Sequence, residues 1–339
     1  MLQSKKTKSR QSVLVLREHD SVWLPEARPE VIAAAEAIHE GLRQAGYPVI
    51  PLQVESPNAL LSQLLRFNPS RYVVFNWYEG VEIGAEDGAQ ITDMLSHLGF
   101  TFTGADALTW RTAQDRLRAK RVLVSHHIPT PQWRSISGEE IHGWNHYPAI
   151  VKLANEHGSE CLTEESVVHD QASLQRRIAD LKELGYHNLM VAEFIDGREF
   201  TVALWGNGIL QALPLLEVDF STFPPAASHV RSFAAKWETQ SEEYQQIKLT
   251  PPNDLSPELR DRIERVARDA FRAFRLRDYG RVDVRLREGV PYVIDVNCNP
   301  DITADSSFVA AARQAGYDYS AMLDHIVELA IHRRGEDGE

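Results

Sequence analysis

One stretch, Arg281-Val-Asp-Val-Arg-Leu-Arg-Glu-Gly-Val-Pro-Tyr-Val-Ile-Asp-Val-Asn-Cys-Asn-Pro-Asp301, constrains this chain more than any other. Val282, Val284 and Leu286 alternate with Arg281, Asp283 and Arg285; Tyr292, Ile294 and Val296 then alternate with Val293, Asp295 and Asn297. That period of two predicts a pair of half-buried strands, with Glu288-Gly289 in the turn. A three-residue loop over Glu288, Gly289 and Val290 sets Asp283 opposite Asp295 and Arg281 opposite Asn297, with the polar residues on one face. A two-residue loop would set Asp283 against Ile294 and mix the faces, so the first register is expected. It brings two carboxylates together, which an ordinary sheet avoids, and so calls for a cation between them. Asp283, Asp295 and the amide oxygen of Asn297 are hard ligands, suited to magnesium that keeps waters and phosphate oxygens in its other positions. Taken alone, the hairpin also reads as a solvated face of mixed Arg and Asp.

The 339 residues allow two or three lobes with a substantial core, and 43% apolar with 25% charged residues is ordinary for a soluble globular chain. A formal charge of -12 argues against a general binder of nucleic acid or membrane surfaces. Met1 to Ser12 has four Lys or Arg residues and no apolar core, so it reads as a disordered tail and not as a signal peptide or a span. Cys161 and Cys298 are the only cysteines. They allow no disulfide framework or Cys-based zinc pattern, and a reducing cytoplasm is the default. The 13 His residues include no HExxH, so a histidine metal site is not favoured.

Val13 to Leu16 reads as a strand, Pro29 to Ala45 as a helix with Val31, Ile32, Ala35, Ile38 and Leu42 on one side, and Val49 to Leu52 as the next strand. A helix near Asn58 to Arg66 leads to a buried strand, Tyr72 to Phe75, completing a small open parallel sheet. Ligands of such sheets bind beyond the carboxyl ends of strands, where the loop Asn76 to Gly88 lies. In it, Glu86 and Asp87 also complement the positive end of the following helix. Ala113 to Ser125 is helical and stops before Ile128-Pro129-Thr130-Pro131. Ala149-Ile-Val-Lys152 is a buried strand ending in a cation, and the small-residue loop after it, through Gly158-Ser159, suits phosphate oxygens. Leu189 to Phe194 and Glu199 to Trp205 are strands joined by the turn Asp196-Gly197-Arg198. Phe220 to Pro252 reads as a long functional loop with little secondary structure, and Pro257 to Phe274 as an amphipathic helix feeding the hairpin. Ser307 to Ala315 and Tyr319 to His332 are closing helices.

Taken in order, Ala85-Glu86-Asp87-Gly88, Phe102-Thr103-Gly104, Asp115-Arg116, Lys152 with Gly158-Ser159, Gly197-Arg-Glu199-Phe-Thr-Val202, Ala235-Lys236-Trp237 and the hairpin's Arg281-Val-Asp283 with Asp295-Val-Asn297-Cys-Asn-Pro300 resemble the motifs of the ATP-grasp ligases. They are most similar to the D-alanine:D-alanine ligase branch, and the resemblance runs from about Val73 to about Ala330. It implies a mixed α/β and α+β fold of three lobes. A tail over 1–12 precedes an N-terminal open-sheet domain over 13–106, a central subdomain over 107–191 and a C-terminal subdomain with the metal site over 192–334. ATP would lie between the last two, with magnesium, as two ions, as the other cofactor. By the resemblance Asp283, Asp295 and Asn297 hold metal, while Arg116, Lys152, Ser159 and Lys236 meet the phosphates. Ala192, Glu193, Phe194 and Ile195 form the adenine hinge, and Glu199 binds ribose hydroxyls. Arg281, with Lys152 and Lys236, stabilises charge during catalysis. Glu86, Asp301 and Ser306 lie towards the substrates. Arg116 and Glu193 each stand where the family has Lys, and they also read as surface residues of a solvated helix and an edge strand.

The implied reaction is ATP-dependent joining of a small-molecule carboxylate to an amine through an acyl phosphate, in the cytoplasm. No nucleic-acid or membrane partner is expected, and a homodimer is compatible with it. The alternatives are a nucleotide-binding sensor without turnover, a small-molecule kinase, and the D-alanine:D-alanine ligase itself. The last is disfavoured because Arg17-Glu18-His19-Asp20 offers no Ser-x-Glu in register, Gly158 stands at a loop Ser, Trp237 at a Tyr, and Asp301 where the family has Gly.

Overall fold

The computed structural model describes residues 10–336 except 24, 26, 79, 81–84, 137, 139, 140, 156–160, 224–228, 233, 234 and 236–239. Most of the expected tail lies outside the described residues, and Ser12 already begins a strand. The chain divides into two compact units: the N-terminal segment to Ala107 together with Asp301 onward, and Leu108–Pro300.

Unit 1 begins with β1 (Ser12–Glu18), α1 (Arg28–Gln44), β2 (Val49–Val54), α2 (Pro57–Leu64), β3 (Tyr72–Asn76), α3 (Ala85–His97) and β4 (Thr101–Phe102). The strands form one parallel sheet in the order β2-β1-β3-β4. Val13 to Leu16 are fully buried, which is why this strand is an unbroken apolar run instead of an alternating one. Leu14, Leu16, Leu60, Val74 and Ile91 share its core. Helix α2 starts where Ser56 accepts the Ala59 N–H and Pro57 occupies the first turn.

Unit 2 opens with α4 (Ala107–Gln114), α5 (Arg116–Ser125), β5 (Trp133–Ile136), β6 (Ala149–Leu153), β7 (Val167–Val168), α6 (Gln171–Glu183) and β8 (Leu189–Glu193). The helix expected to run unbroken from Ala113 to Ser125 is interrupted at Asp115, whose carboxylate accepts the Arg118 N–H at 3.0 Å and starts α5 afresh. An antiparallel sheet in the order β5-β8-β6-β7 packs on Leu174, Ile178 and Leu181 of α6.

A second antiparallel sheet follows from β9 (Arg198–Trp205), β10 (Gln211–Ala212), β11 (Leu216–Asp219), β12 (Lys248–Thr250), β13 (Tyr279–Arg287) and β14 (Val290–Asn297). Its order is β12-β11-β9-β13-β14, with β10 also on β9. The region from Phe220 to Pro252 is more structured than expected: it contains α7 (Glu242–Gln246) and β12, which pairs with β11. Three residues are too few to show an alternation. Helix α8 (Pro257–Ala273), capped by Ser256, buries Ile263, Ala267, Ala270 and Phe271.

The chain then returns to unit 1 with α9 (Ser307–Gln314) and α10 (Tyr319–Glu336). Met322, Leu323, Ile326 and Val327 of α10 are fully buried. Gly41 of α1 allows the approach, since a Cβ there would lie 2.7 Å from Leu323 Cδ1. Tyr47 donates to Asp324 at 2.7 Å, and Arg333 donates to the Phe102 carbonyl. Among the described residues no helix is long and apolar enough to cross a membrane.

Candidate active site

The β13–β14 hairpin places Asp283 opposite Asp295 and Arg281 opposite Asn297, the register expected, but by a different route. The turn has two residues, Glu288 at φ 52° and Gly289 at φ 73°, and pairs Arg287 with Val290. Two positive φ values in succession are the signature of a tight hairpin turn matched to strand twist. Val284 then pairs with Val293, and the register shifts by one before Asp283 and Asp295. Ile294 is the extra residue of a β-bulge, and it restores the alignment that the short turn would have lost. Outside the bulge, Val293 donates its N–H to the Pro129 carbonyl and accepts from the Thr130 hydroxyl, both at 2.8 Å.

Asp283 is buried and well supplied with donors. Thr201 Oγ1 donates at 2.7 Å, and Arg281 Nε and Nη2 donate at 3.0 and 3.1 Å. Asn297 Nδ2 approaches at 3.5 Å. Among the described residues no group of three or more His, Cys, Asp or Glu gathers into a metal cluster. Two facing carboxylates and one amide oxygen therefore make no all-protein cage. They fit an ion that arrives with phosphate oxygens and water.

Unit 2 contains an open cleft that encloses about 740 Å³ of empty space, its mouth included. Arg116, Lys152, Ala192, Glu193, Phe194, Ile195, Glu199, Asp283 and Asp295, widely separated in sequence and each singled out from it, all line this one space. Arg281 and Asn297 stand beside it on the hairpin. Arg116 lies at the start of α5, with its guanidinium on the Leu153 carbonyl at 2.7 Å and its N–H on the Ala154 carbonyl at 2.9 Å. In the segment Ala192 to Ile195, the Glu193 and Phe194 N–H groups bond to the Gln132 and Pro148 carbonyls. Glu193 is no stray surface charge, because Arg287 Nη1 donates to it at 2.6 Å. Gly197 has no room for a side chain: a Cβ would lie 2.0 Å from the Leu286 carbonyl oxygen.

Three cations of the cleft were not singled out from sequence: Lys120, Arg231 and Arg285. Lys120 is buried and donates to Thr130 Oγ1 at 2.5 Å. Burial first, and then the charge of Lys152, push its pKa down to about 7, while Asp295 opposes the shift. Its position four residues after Arg116 is the signal that could have found it, since such a pair shares one helix face. Arg285 carries no such signal.

Ser159 and Lys236 lie outside the described residues, and so does the side chain of Glu86, in the first turn of α3. Asp301 and Ser306 belong to unit 1. The Asp301 carboxylate takes the Thr303 N–H at 2.8 Å and its hydroxyl at 2.9 Å, so it is engaged within its own turn. Ser306 caps α9 by accepting the Val309 N–H at 3.4 Å. Glu18, at the carboxyl end of β1, is buried and accepts the Gly80 N–H at 2.9 Å.

The family model described as "D-ala D-ala ligase C-terminus" matches residues 126–328. A protein of Sinorhizobium fredii named "Uncharacterized protein y4sG" is 30% identical, with 88% of each chain covered. A D-alanine–D-alanine ligase from a Marinomonas species is also 30% identical, covering 88% of this chain and 90% of that one. Among solved structures, D-alanine–D-alanine ligase from Bacillus anthracis complexed with ATP superposes with a TM-score of 0.74 at 20% identity, covering 97% of this chain and 100% of the other.

Proposed function

The chain belongs to the D-alanine–D-alanine ligase family of ATP-grasp ligases, and from that premise we propose that it uses ATP and magnesium to join a small-molecule carboxylate to an amine other than in D-alanyl-D-alanine. One observation carries the nucleotide part of this reading: the phosphate cations Arg116 and Lys152, the hinge Ala192 to Ile195, Glu199 and the carboxylates Asp283 and Asp295 line a single cleft.

The adenine lies along the hinge and its ribose reaches Glu199. Arg116 and Lys152, with Lys236, balance the charge of the phosphates. Asp283, Asp295 and Asn297 hold magnesium, which supplies neutralisation of the phosphate oxygens when bound. A free carboxylate is a poor acyl donor, so its oxygen attacks the terminal phosphorus and ADP leaves. The amine nitrogen then attacks the acyl carbon of the resulting acyl phosphate, a proton is lost, and inorganic phosphate departs as the C–N bond forms. Arg281, which donates to Asp283 through Nε and Nη2, is the group assigned to stabilise the oxyanion between these events.

The relatives named D-alanine–D-alanine ligase favour that product as the second reading. Against it stand the sequence departures at Arg17 to Asp20, Gly158 and Trp237, because a substrate ammonium stripped of its partners binds poorly. The engagement of Asp301 with Thr303 withdraws that carboxylate from these grounds. The test is a phosphate-release screen over paired amino acids and other carboxylates, with mass spectrometry of the products. An amide product from a pair other than two D-alanines is expected. D-alanyl-D-alanine formed at full rate would establish the second reading instead, and nucleotide binding with no turnover on any pair would leave a sensor.

A further inference from the structure

Arg285 bonds through all three of its guanidinium nitrogens, and the proposed reaction gives it no task. It is the cross-strand partner of Glu199, so the two side chains share a face of the sheet. Their side chains are 4% and 8% exposed. Arg285 Nε and Nη2 both donate to Glu199 Oε2, at 2.8 and 2.7 Å. Nη2 also donates to the His229 carbonyl, and Nη1 to the Ile195 carbonyl at 3.0 Å. The guanidinium lies over the Phe194 ring, 4.8 Å from its centroid, with Phe220 at 5.8 Å. A guanidinium has five N–H donors. Here Nε and Nη2 have protein acceptors, and so does one N–H of Nη1. All the donors to Glu199 fall on Oε2. Among the described residues Oε1 receives none.

We propose that Arg285 makes this cleft selective for ribonucleotides, by pinning one oxygen of Glu199 and leaving the other as a fixed acceptor for a ribose hydroxyl. The inference rests on the nucleotide reading above and adds to it a specificity-determining residue. A carboxylate that was free to turn could bend to water when the hydroxyl is missing, and would forgive a deoxy sugar. A carboxylate held from behind cannot follow, so the deoxy analogue leaves a buried acceptor unpaired. The bonds to Ile195 and His229 serve the same end, since they fix the guanidinium itself and tie the hinge to the carboxylate.

Calorimetric titration with ADP, 2′-deoxy-ADP and 3′-deoxy-ADP tests this. The unaltered protein should bind ADP roughly ten- to a hundredfold more tightly than at least one deoxy analogue, the loss of a hydrogen bond to a charged group. In Arg285→Met that ratio should fall to within about threefold, because Glu199 is no longer oriented. Arg285→Lys keeps the charge but not the fork of donors, so it should fall in between; it carries the same readout if the Met variant does not fold. A destabilised but otherwise normal site would bind all three ligands less tightly and keep the ratio. A ratio unchanged in the variants, or no preference in the unaltered protein, would overturn the role of Arg285 alone. No binding of ADP or either analogue would overturn the nucleotide reading, and this inference with it.

Discussion

Asp283 and Asp295 are partners across an antiparallel ladder although the turn joining their strands is one residue too short to align them. The bulge at Ile294 makes up the difference. Its outer side is held by the segment that Lys120 reaches, through Thr130, from α5. The geometry of the carboxylate pair therefore depends on residues outside the hairpin.

Removing one carboxylate charge should stop the chemistry without unfolding the protein. Asp295→Asn is expected to lower phosphate release by at least ~100-fold, as several kcal/mol of charge stabilisation leave the phosphoryl-transfer step. Its thermal midpoint should stay close to that of the unaltered protein. Unaltered turnover in this variant would remove Asp295 from the site.

Thr130→Val keeps the shape of the side chain but deletes the hydroxyl that accepts from Lys120 and donates to Val293. A buried ammonium left without that partner costs roughly 1–3 kcal/mol. Urea unfolding should register the loss, and an unchanged midpoint would show that the link carries no energy.

Gly197→Ala should be more damaging than its size suggests. The added Cβ would meet the Leu286 carbonyl at 2.0 Å, and a backbone group cannot swing aside as a side chain can. A cost of roughly 1–3 kcal/mol is expected in chemical denaturation. ADP affinity should drop as well, because Glu199 lies only two residues further along the chain, at the start of β9.

In unit 1, His39 gives a pH dependence of definite sign. Burial, more than any neighbour, holds its pKa below the ordinary 6.5; Glu36 opposes the shift, and Arg43 and Arg17 reinforce it. As pH falls through 6.5 the unfolded chain takes up a proton that the folded one does not, so stability is lost in that window and kept above it. The slope from one such group is at most ~1.4 kcal/mol per pH unit. Denaturant midpoints of the unaltered protein and His39→Gln, compared at pH 7.5 and pH 5.5, should converge at the lower value. Parallel curves would count against it.

The strands and helices were legible where burial imposes a period, as in the run Val13 to Leu16 and the alternation around Asp283. Polarity also reported correctly which residues of the hairpin face each other. It could not report how, because an apolar residue in a bulge looks like any other member of the pattern, and a short turn plus a bulge gives the same pairing as a longer loop. Lys120 and Arg285 were hidden for another reason. A basic residue on a helix or a strand is usually solvated, and only packing reveals that these two are 5% and 3% exposed.

The return of the chain to its first unit bears on how the protein is made. Leu108–Pro300 is one continuous segment, so everything needed for unit 2 is synthesised before α10. Unit 1 must wait: Gly41, Tyr47 and Phe102 are synthesised early, but Leu323, Asp324 and Arg333, which they meet, come near the end. A chain broken off before α10 thus leaves bare the apolar face of unit 1 that Met322, Leu323, Ile326 and Val327 would cover, and that face would make it recognisable to the cell.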